Sequence, residues 1–471
     1  MSAEAPTPSS GPARPHRGRW TRKKTRQLKW IQYSGIGTVW ALFVASAIVG
    51  SVVGQIPWWT TATLGLVSTF MLERVTRAVM VQTDPMKVPV LMYHSVAPDF
   101  DLIPAPGLSV RPEVFAAQLQ LFRDEGYSTH TLSELRTHLT GEMPLQGKPL
   151  VITFDDGYLD NFVFAFPLLK QFGAKATIFI SADFVDQAKT PRRKVRTPGD
   201  RSEEGGGAYL SWSEIREMVD SSLVEIESHA ASHDLLPRSD RVVDYHRPGI
   251  RNPWLAWRLF PGEKPRWFMR RAHELGFGRA IYETGPALDG PCFLPDPGLD
   301  SRLIEYVARR GAGAFFRRRN WREELDRITG EYRAEQQGCV GRMETDDEWR
   351  ERVREELIGS RVRLSRGLGR EVSFLAWPHD RFNDQVAEIA LDEAGYVATS
   401  AGLHHNEPGA DASGFSRIPA GEAMLGRPWT RGDLWLLRAN LALFRGNYLY
   451  YLPAFVASRV RDLVLRIAPP R

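Results

Sequence analysis

Leu150-Val-Ile-Thr-Phe-Asp-Asp-Gly-Tyr158 is the stretch on which the reading of the chain turns. Its first five residues are a short apolar, β-rich run that reads as a buried strand. The run ends in two adjacent carboxylates, Asp155 and Asp156, and then Gly157. In an open α/β sheet or a barrel, the C-terminal ends of parallel strands carry the chemistry. Neighbouring acids there repel each other and lose solvation, so they persist only if a cation or a proton is shared. The alternative is an aspartate N-cap on the following helix, beside a solvated neighbour.

A second run, Leu223-Val-Glu-Ile-Glu-Ser228, delivers His229-Ala-Ala-Ser-His233. Histidines at i and i+4 share one face of a helical turn, a spacing that lets two imidazoles hold one metal. A lone His-x-x-x-His pair is weak. Here both motifs directly follow expected strands and together supply Asp, His and His. Three ligands with room for water is the layout of a catalytic zinc site, not a closed structural one.

Thr153-Phe-Asp-Asp-Gly157 and Ser228-His-Ala-Ala-Ser-His233 resemble the first two signature motifs of the polysaccharide deacetylases (carbohydrate esterase family four, the NodB-homology domain). Val88-Pro-Val-Leu-Met-Tyr-His94-Ser-Val resembles the opening strand of the permuted branch that includes poly-N-acetylglucosamine deacetylases. Phe374-Leu-Ala-Trp-Pro-His-Asp380 resembles that branch's aromatic-Pro-Tyr-Gly turn, with His379-Asp380 in place of Tyr-Gly. The resemblance implies a distorted (β/α)7 barrel of the NodB type, and a hydrolase that removes N-acetyl or related acyl groups from an amino-sugar polymer or lipid-linked glycan. It assigns Asp156, His229 and His233 to a divalent metal, most simply Zn²⁺, and Asp155 to the general base. His94 becomes the proton donor and Arg417 the residue that orients Asp155. The Trp377-Pro378-His379 turn becomes the oxyanion and groove element.

Two other classes compete. One is a non-catalytic, membrane-anchored glycan-binding module on the same fold, against which the intact acids and histidines argue. The other is a Mg²⁺ phosphohydrolase, which the histidine pair disfavours because Mg²⁺ prefers oxygen ligands.

The remaining sequence sets the organisation. The chain has 471 residues, 25% charged and 43% hydrophobic, with a formal net charge of +5. That is ordinary for a globular chain with ample core. Cys292 and Cys339 form no CxxC and decide no compartment. Residues 1–30 read as a disordered tail with a basic run from Arg14 to Lys29. The run abuts residues 34–56, about 23 uncharged residues, long enough to span a bilayer. Basic flanks mark the cytoplasmic side, so the run is a topology signal and nucleic acid is not an expected partner. Residues 31–81 are therefore expected to be a membrane anchor, either one span or a helical hairpin, in the inner membrane. Residues 86–421 form the expected deacetylase domain, interrupted by a helical insertion at 238–345. Residues 422–471 form an amphipathic helical extension suited to a membrane surface. Besides the membrane and the glycan, other polysaccharide-assembly proteins are expected partners.

Overall fold

The computed structural model describes residues 86–98, 108–194, 208–338, 340–400, 406–409, 412–426 and 428–467, with Ile48, Gly50 and Asp84. The chain divides into two compact units. The first, Met1–Thr83 with Gly446–Leu449, contains the expected tail and anchor. Apart from Ile48 and Gly50, which are helical, those segments lie outside the described residues. Among the described residues no helix is long and apolar enough to cross a membrane. Cys339 also lies outside them, and Cys292 is a buried free thiol.

The second unit, Asp84–Arg445 with Tyr450–Arg471, is built on a curled parallel sheet. Its strands are β1 (Val90–Tyr93), β2 (Tyr127–His130), β3 (Lys148–Phe154), β4 (Ala176–Ile180), β5 (Val224–Ser228), β6 (Phe374–Leu375), β7 (Ala398–Thr399) and β8 (Ile418–Pro419). Their order is β8-β1-β3-β4-β5-β6-β7, with β2 paired to the first half of β3. From β3 to β7 neighbours in the sheet follow chain order, as successive βα units tend to. One segment joins the two edges. Its Ser413 and Phe415 exchange backbone hydrogen bonds with Thr399 of β7, and its Ile418 pairs with Leu91 of β1.

The strands are apolar on both faces because both faces are covered. Leu91, Ile152, Phe154, Ile178 and Ile226 join the large outer cluster beneath the helices. Alternate residues Val90, Val151, Phe179 and Phe374 meet Phe415 of the closing segment on the opposite face. The Phe179 and Phe415 rings stack with centroids 6.1 Å apart. Helix α1 (Leu132–Leu139), started by a Thr131/Glu134 capping box, adds Leu132, Leu135 and Leu139 to this inner cluster.

The insertion is mixed where a helical one is expected: it has the helices Pro297–Ala308 and Trp321–Glu335, but strands as well. Leu235–Tyr245 and Ala280–Pro286 form an antiparallel pair with two register breaks, and Phe293–Pro295 pairs with Gly341–Met343. Leu235–Tyr245 is half-exposed along most of its length, so its hydrophobic pattern has no clean period of two to announce a strand. Two 3₁₀ segments, Pro261–Met269 and Ala272–Leu275, follow one another in the insertion. Pro265 inside the first leaves Glu263 and Arg266 non-helical. Helix α2 (Pro253–Leu259) begins at an Asn252 cap. The distal part has its own core around Leu299, Leu303, Phe315 and Leu325.

After the insertion, α3 (Asp346–Leu368) starts at a Thr345/Glu348 capping box and ends at Gly369 with φ 68°. It buries Trp349, Val353, Leu357, Ser360 and Leu364, a stripe at helical spacing. The fold then has to rejoin β6 to β5. Glu227 does part of this, accepting from the Ser373 and Phe374 N–H groups at 2.7 and 2.8 Å and from Arg370 at 2.9 Å. Burial pushes its carboxyl up to about 7. Glu227→Ala would leave two buried N–H groups without an acceptor, each worth roughly 1–3 kcal/mol. We expect a loss of about 2–4 kcal/mol in chemical denaturation, with Glu227→Gln losing less because it keeps an acceptor oxygen.

Candidate metal centre and active-site cavity

The backbone turns sharply at the end of β3. Asp156 has φ 71° and Gly157 φ 69°, both in the left-handed region. A Cβ at Gly157 would come within 3.1 Å of Ile180, so the position is also closed to larger residues. The turn sends the two neighbouring carboxylates to different partners, and neither caps a helix. The next helical segment begins at Asn161 with no side-chain cap.

Asp155 receives both its hydrogen bonds from one guanidinium nitrogen of Arg417, at 2.6 and 2.9 Å. The other terminal nitrogen of Arg417 donates to Asp380 at 3.2 Å. Burial would raise the Asp155 pKa, but Arg417, His229 and His94 outweigh it and hold the carboxyl below its ordinary range. His94 Nε2 lies 3.9 Å from Asp155 Oδ2. The His94 backbone is fixed by Asn161 Nδ2, which donates to its carbonyl at 2.9 Å.

Asp156 Oδ1 lies 3.3 Å from His229 Nε2 and 3.2 Å from His233 Nε2. All three ligand atoms lie within 4.8 Å of one another. Ligands bound at 2.0–2.2 Å in a tetrahedral zinc site stand about 3.4 Å apart. His229 Nδ1 sits 2.9 Å from the Ala376 carbonyl, which only an N–H can satisfy. In the neutral ring Nε2 therefore carries a lone pair toward Asp156, the second-shell arrangement common to histidine ligands. Among the described residues Asp156 Oδ1 is buried without a hydrogen-bond partner. Burial opposes charge on His229, yet Asp156 and Asp155 raise its pKa. A site that draws a proton in this way also fits a divalent cation in the proton's place.

The loop carrying the histidines is not the helical turn that their spacing implied. Residues 229–233 are irregular, and Ala230 and His233 have φ of 57° and 52°. The two rings converge, with centroids 5.0 Å apart, because the strained loop folds back under itself.

His379 and Asp380 also have positive φ, at 57° and 51°. Burial, then His233 and His229, push the His379 imidazole down to about 3, so it is neutral. Trp377 N–H donates to Ser400 Oγ at 3.0 Å, and Pro378 has no N–H.

A cavity of about 310 Å³ opens over the centre. His94, Asp155, Asp156, His229, His233, Trp377 and His379 all line it. Pro378 and the side chain of Arg417 are buried but do not line it. Five aromatic walls escaped the sequence reading: Tyr158, Phe184, Tyr209, Trp254 and Trp257. Trp254 and Trp257 stand on α2, inside the insertion. Arg317, Arg318, Arg319 and Trp321, also in the insertion, do not line the cavity. The three arginines are exposed and Trp321 packs on Phe316 at 5.3 Å. Tyr158 was the nearest available signal, directly following the acid motif.

Residues 142–247 match the family model described as polysaccharide deacetylase. This part of the chain belongs to the polysaccharide deacetylase family. The match includes Asp155, Asp156, His229 and His233 and excludes His94, Trp377 and Arg417. A Bacillus subtilis (strain 168) protein named as a polysaccharide deacetylase, YxkH, is 33% identical over 149 residues, 32% of this chain and 44% of that protein. The poly-beta-1,6-N-acetyl-D-glucosamine N-deacetylase of Escherichia coli (strain K12) is 33% identical over 122 residues, 26% of this chain and 18% of that one. The chain thus spans less than half the length of either relative. The deacetylase domain of BpsB from Bordetella bronchiseptica aligns at 19% identity and a TM-score of 0.43, over 72% of this chain and 97% of that one. IcaB from Ammonifex degensii aligns at 20% and 0.40, over 74% and 96%.

His229→Ala and His233→Ala should each weaken Zn²⁺ binding by more than about 100-fold, since each removes one of three ligands. Metal analysis after dialysis measures this. Full zinc retention in both variants would place the centre elsewhere.

Proposed function

We propose that the chain is a metal-dependent N-deacetylase that removes acetyl, or a related acyl group, from an amino-sugar polymer or a lipid-linked glycan. The observation that carries this reading is the division of labour between two adjacent carboxylates. Asp156 faces two imidazoles, and Asp155 is held out of that triangle by Arg417.

Amide hydrolysis needs a nucleophile, charge stabilisation on the carbonyl oxygen and a proton for the departing amine. Asp156, His229 and His233 would hold a divalent ion, which supplies a Lewis acid that polarises the carbonyl and acidifies water. Asp155, kept anionic by Arg417, accepts the proton from the attacking water. The His379 N–H donates to the oxygen as negative charge develops on it. His94 delivers a proton to the nitrogen as the carbon–nitrogen bond breaks, giving a free amine and acetate. Tyr158, Tyr209, Trp254 and Trp257 offer flat faces for sugar rings and exclude bulk water.

Acetate release should be assayed on N-acetylglucosamine oligomers and on lipid-linked N-acetyl sugars. Asp155→Asn should keep its zinc and lose about 10²–10⁴-fold in rate, the usual worth of a general base. Loss of zinc together with activity would instead put Asp155 among the ligands.

The membrane reading rests on residues 34–56 and on helix α4 (Tyr451–Ile467). Leu452, Phe455, Val456, Val460, Leu463 and Ile467 are all exposed on α4. With Arg459, Arg461 and Arg466 they make an amphipathic helix suited to an anionic lipid surface. Inner-membrane residence beside other polysaccharide-assembly proteins follows from the same reading. The full-length protein should stay with the membrane fraction through a high-salt wash, and a reporter fused after Lys87 distinguishes one span from a hairpin. Recovery of a soluble full-length species without detergent overturns the anchor.

A further inference from the structure

The loop that presents His229 and His233 is strained, and strain of this kind persists only where the surroundings over-determine it. Three sets of backbone contacts act on it. His229 N–H donates to Ile180 at 2.9 Å, and Ala182 and Asp183 N–H donate to the carbonyls of Ala230 and Ala231, each at 3.1 Å. From α3, Glu356 accepts the N–H groups of Ala231 and Ser232 at 3.2 and 2.8 Å.

The last grip comes from the insertion. Lys264 is 1% exposed. Its ammonium donates to the Ser232 carbonyl at 3.0 Å and to both Asp234 oxygens at 2.9 and 3.0 Å. It also lies 3.4 Å from Asp183, which Arg363 of α3 pairs at 2.7 Å. Ser232 and Asp234 are the two residues flanking His233, so one buried ammonium ties down both sides of the metal-binding histidine.

Lys264 sits in the 3₁₀ segment Pro261–Met269, which is firmly seated. Arg266 in the same segment binds Asp186 at 3.1 Å, and Trp267 packs on Trp257 of α2, with centroids 6.4 Å apart. A lysine serves here because its three donors match a carbonyl and a carboxylate in a pocket closed to water. Without it, Asp234 and Asp183 would be left as under-compensated charges beside the loop.

We propose that Lys264 is a positioning residue for His233, and that the insertion is therefore part of the metal centre, not a detachable substrate-binding accessory. This rests on the metal site described above. The test reads zinc affinity of the full-length protein, by competition with a chromogenic chelator, alongside thermal unfolding of the metal-free protein.

Lys264→Met should weaken zinc binding about 10–100-fold, the range typical of second-shell changes. In Lys264→Met with Asp234→Asn the lost charges balance, so thermal stability should recover. Zinc should still bind at least about tenfold more weakly, because the Ser232 carbonyl has lost its donor. Tyr245→Phe serves as a control. It removes a hydroxyl that binds Asp326 and Thr329 within the insertion, and should lower stability without changing zinc affinity.

Zinc affinity within about twofold of the parent in both Lys264 variants overturns the proposal, since a second-shell grip is worth more than that. So does an equal loss in Tyr245→Phe, which would mean that insertion stability alone is being read. A parent protein that binds no zinc at all is a different result: it overturns the metal-site reading beneath the proposal.

Discussion

Two carboxylates on consecutive residues cannot both be buried as anions unless each finds its own positive partner. That constraint runs through the whole site. Asp156 adopts a left-handed backbone so that its side chain leaves the direction taken by Asp155. One then meets two imidazoles, which can share a proton or a cation with it, and the other a guanidinium. The imidazoles arrive from the next strand but one in chain order, and the guanidinium from the segment that joins the two edges of the sheet. A flat or open sheet would leave one of these charges without its partner. Curvature is therefore an electrostatic requirement here as well as a packing outcome.

Strain gathers in the same place. Asp156, Ala230, His233, His379 and Asp380 are non-glycine residues at positive φ, and all stand at or beside the centre. Each such residue costs of the order of 1–3 kcal/mol and is tolerated only where neighbours hold it. The holding groups are specific: Gly157 packed on Ile180, Glu356 beneath the histidine loop, Lys264 across it, and Ala376 fixing the His229 tautomer. Rigidity of this sort keeps the Asp156, His229 and His233 side chains together.

The strands and the acid and histidine motifs were legible because a buried parallel strand leaves an uninterrupted apolar run, and because paired acids and paired histidines are chemically distinctive. The Arg417 pairing with Asp155 was legible only through resemblance; nothing in the composition of the closing segment announces it. The conformation of 229–233 was not legible. Spacing i, i+4 is the same in a helical turn and in a folded-back loop, and alanine and histidine give no sign of positive φ where glycine would. The strand Leu235–Tyr245 was hidden by its two-sided exposure. Lys264 was invisible for a more general reason. In a basic chain a lysine reads as surface, and only three-dimensional neighbours reveal that it is buried against two acids and a carbonyl.

The segment that joins the sheet edges has one further consequence, for the chain during its synthesis. Arg417 follows Asp155 by 262 residues. The acid strand and both histidines leave the ribosome long before their counter-ion does, and domains tend to fold as their residues emerge. Until that late segment docks, Asp155 lacks its guanidinium and the sheet lacks its closure. The nascent chain therefore carries Asp156, His229 and His233 before Asp155 has its partner. Completion of the fold and competence of the centre arrive together, with the last strand.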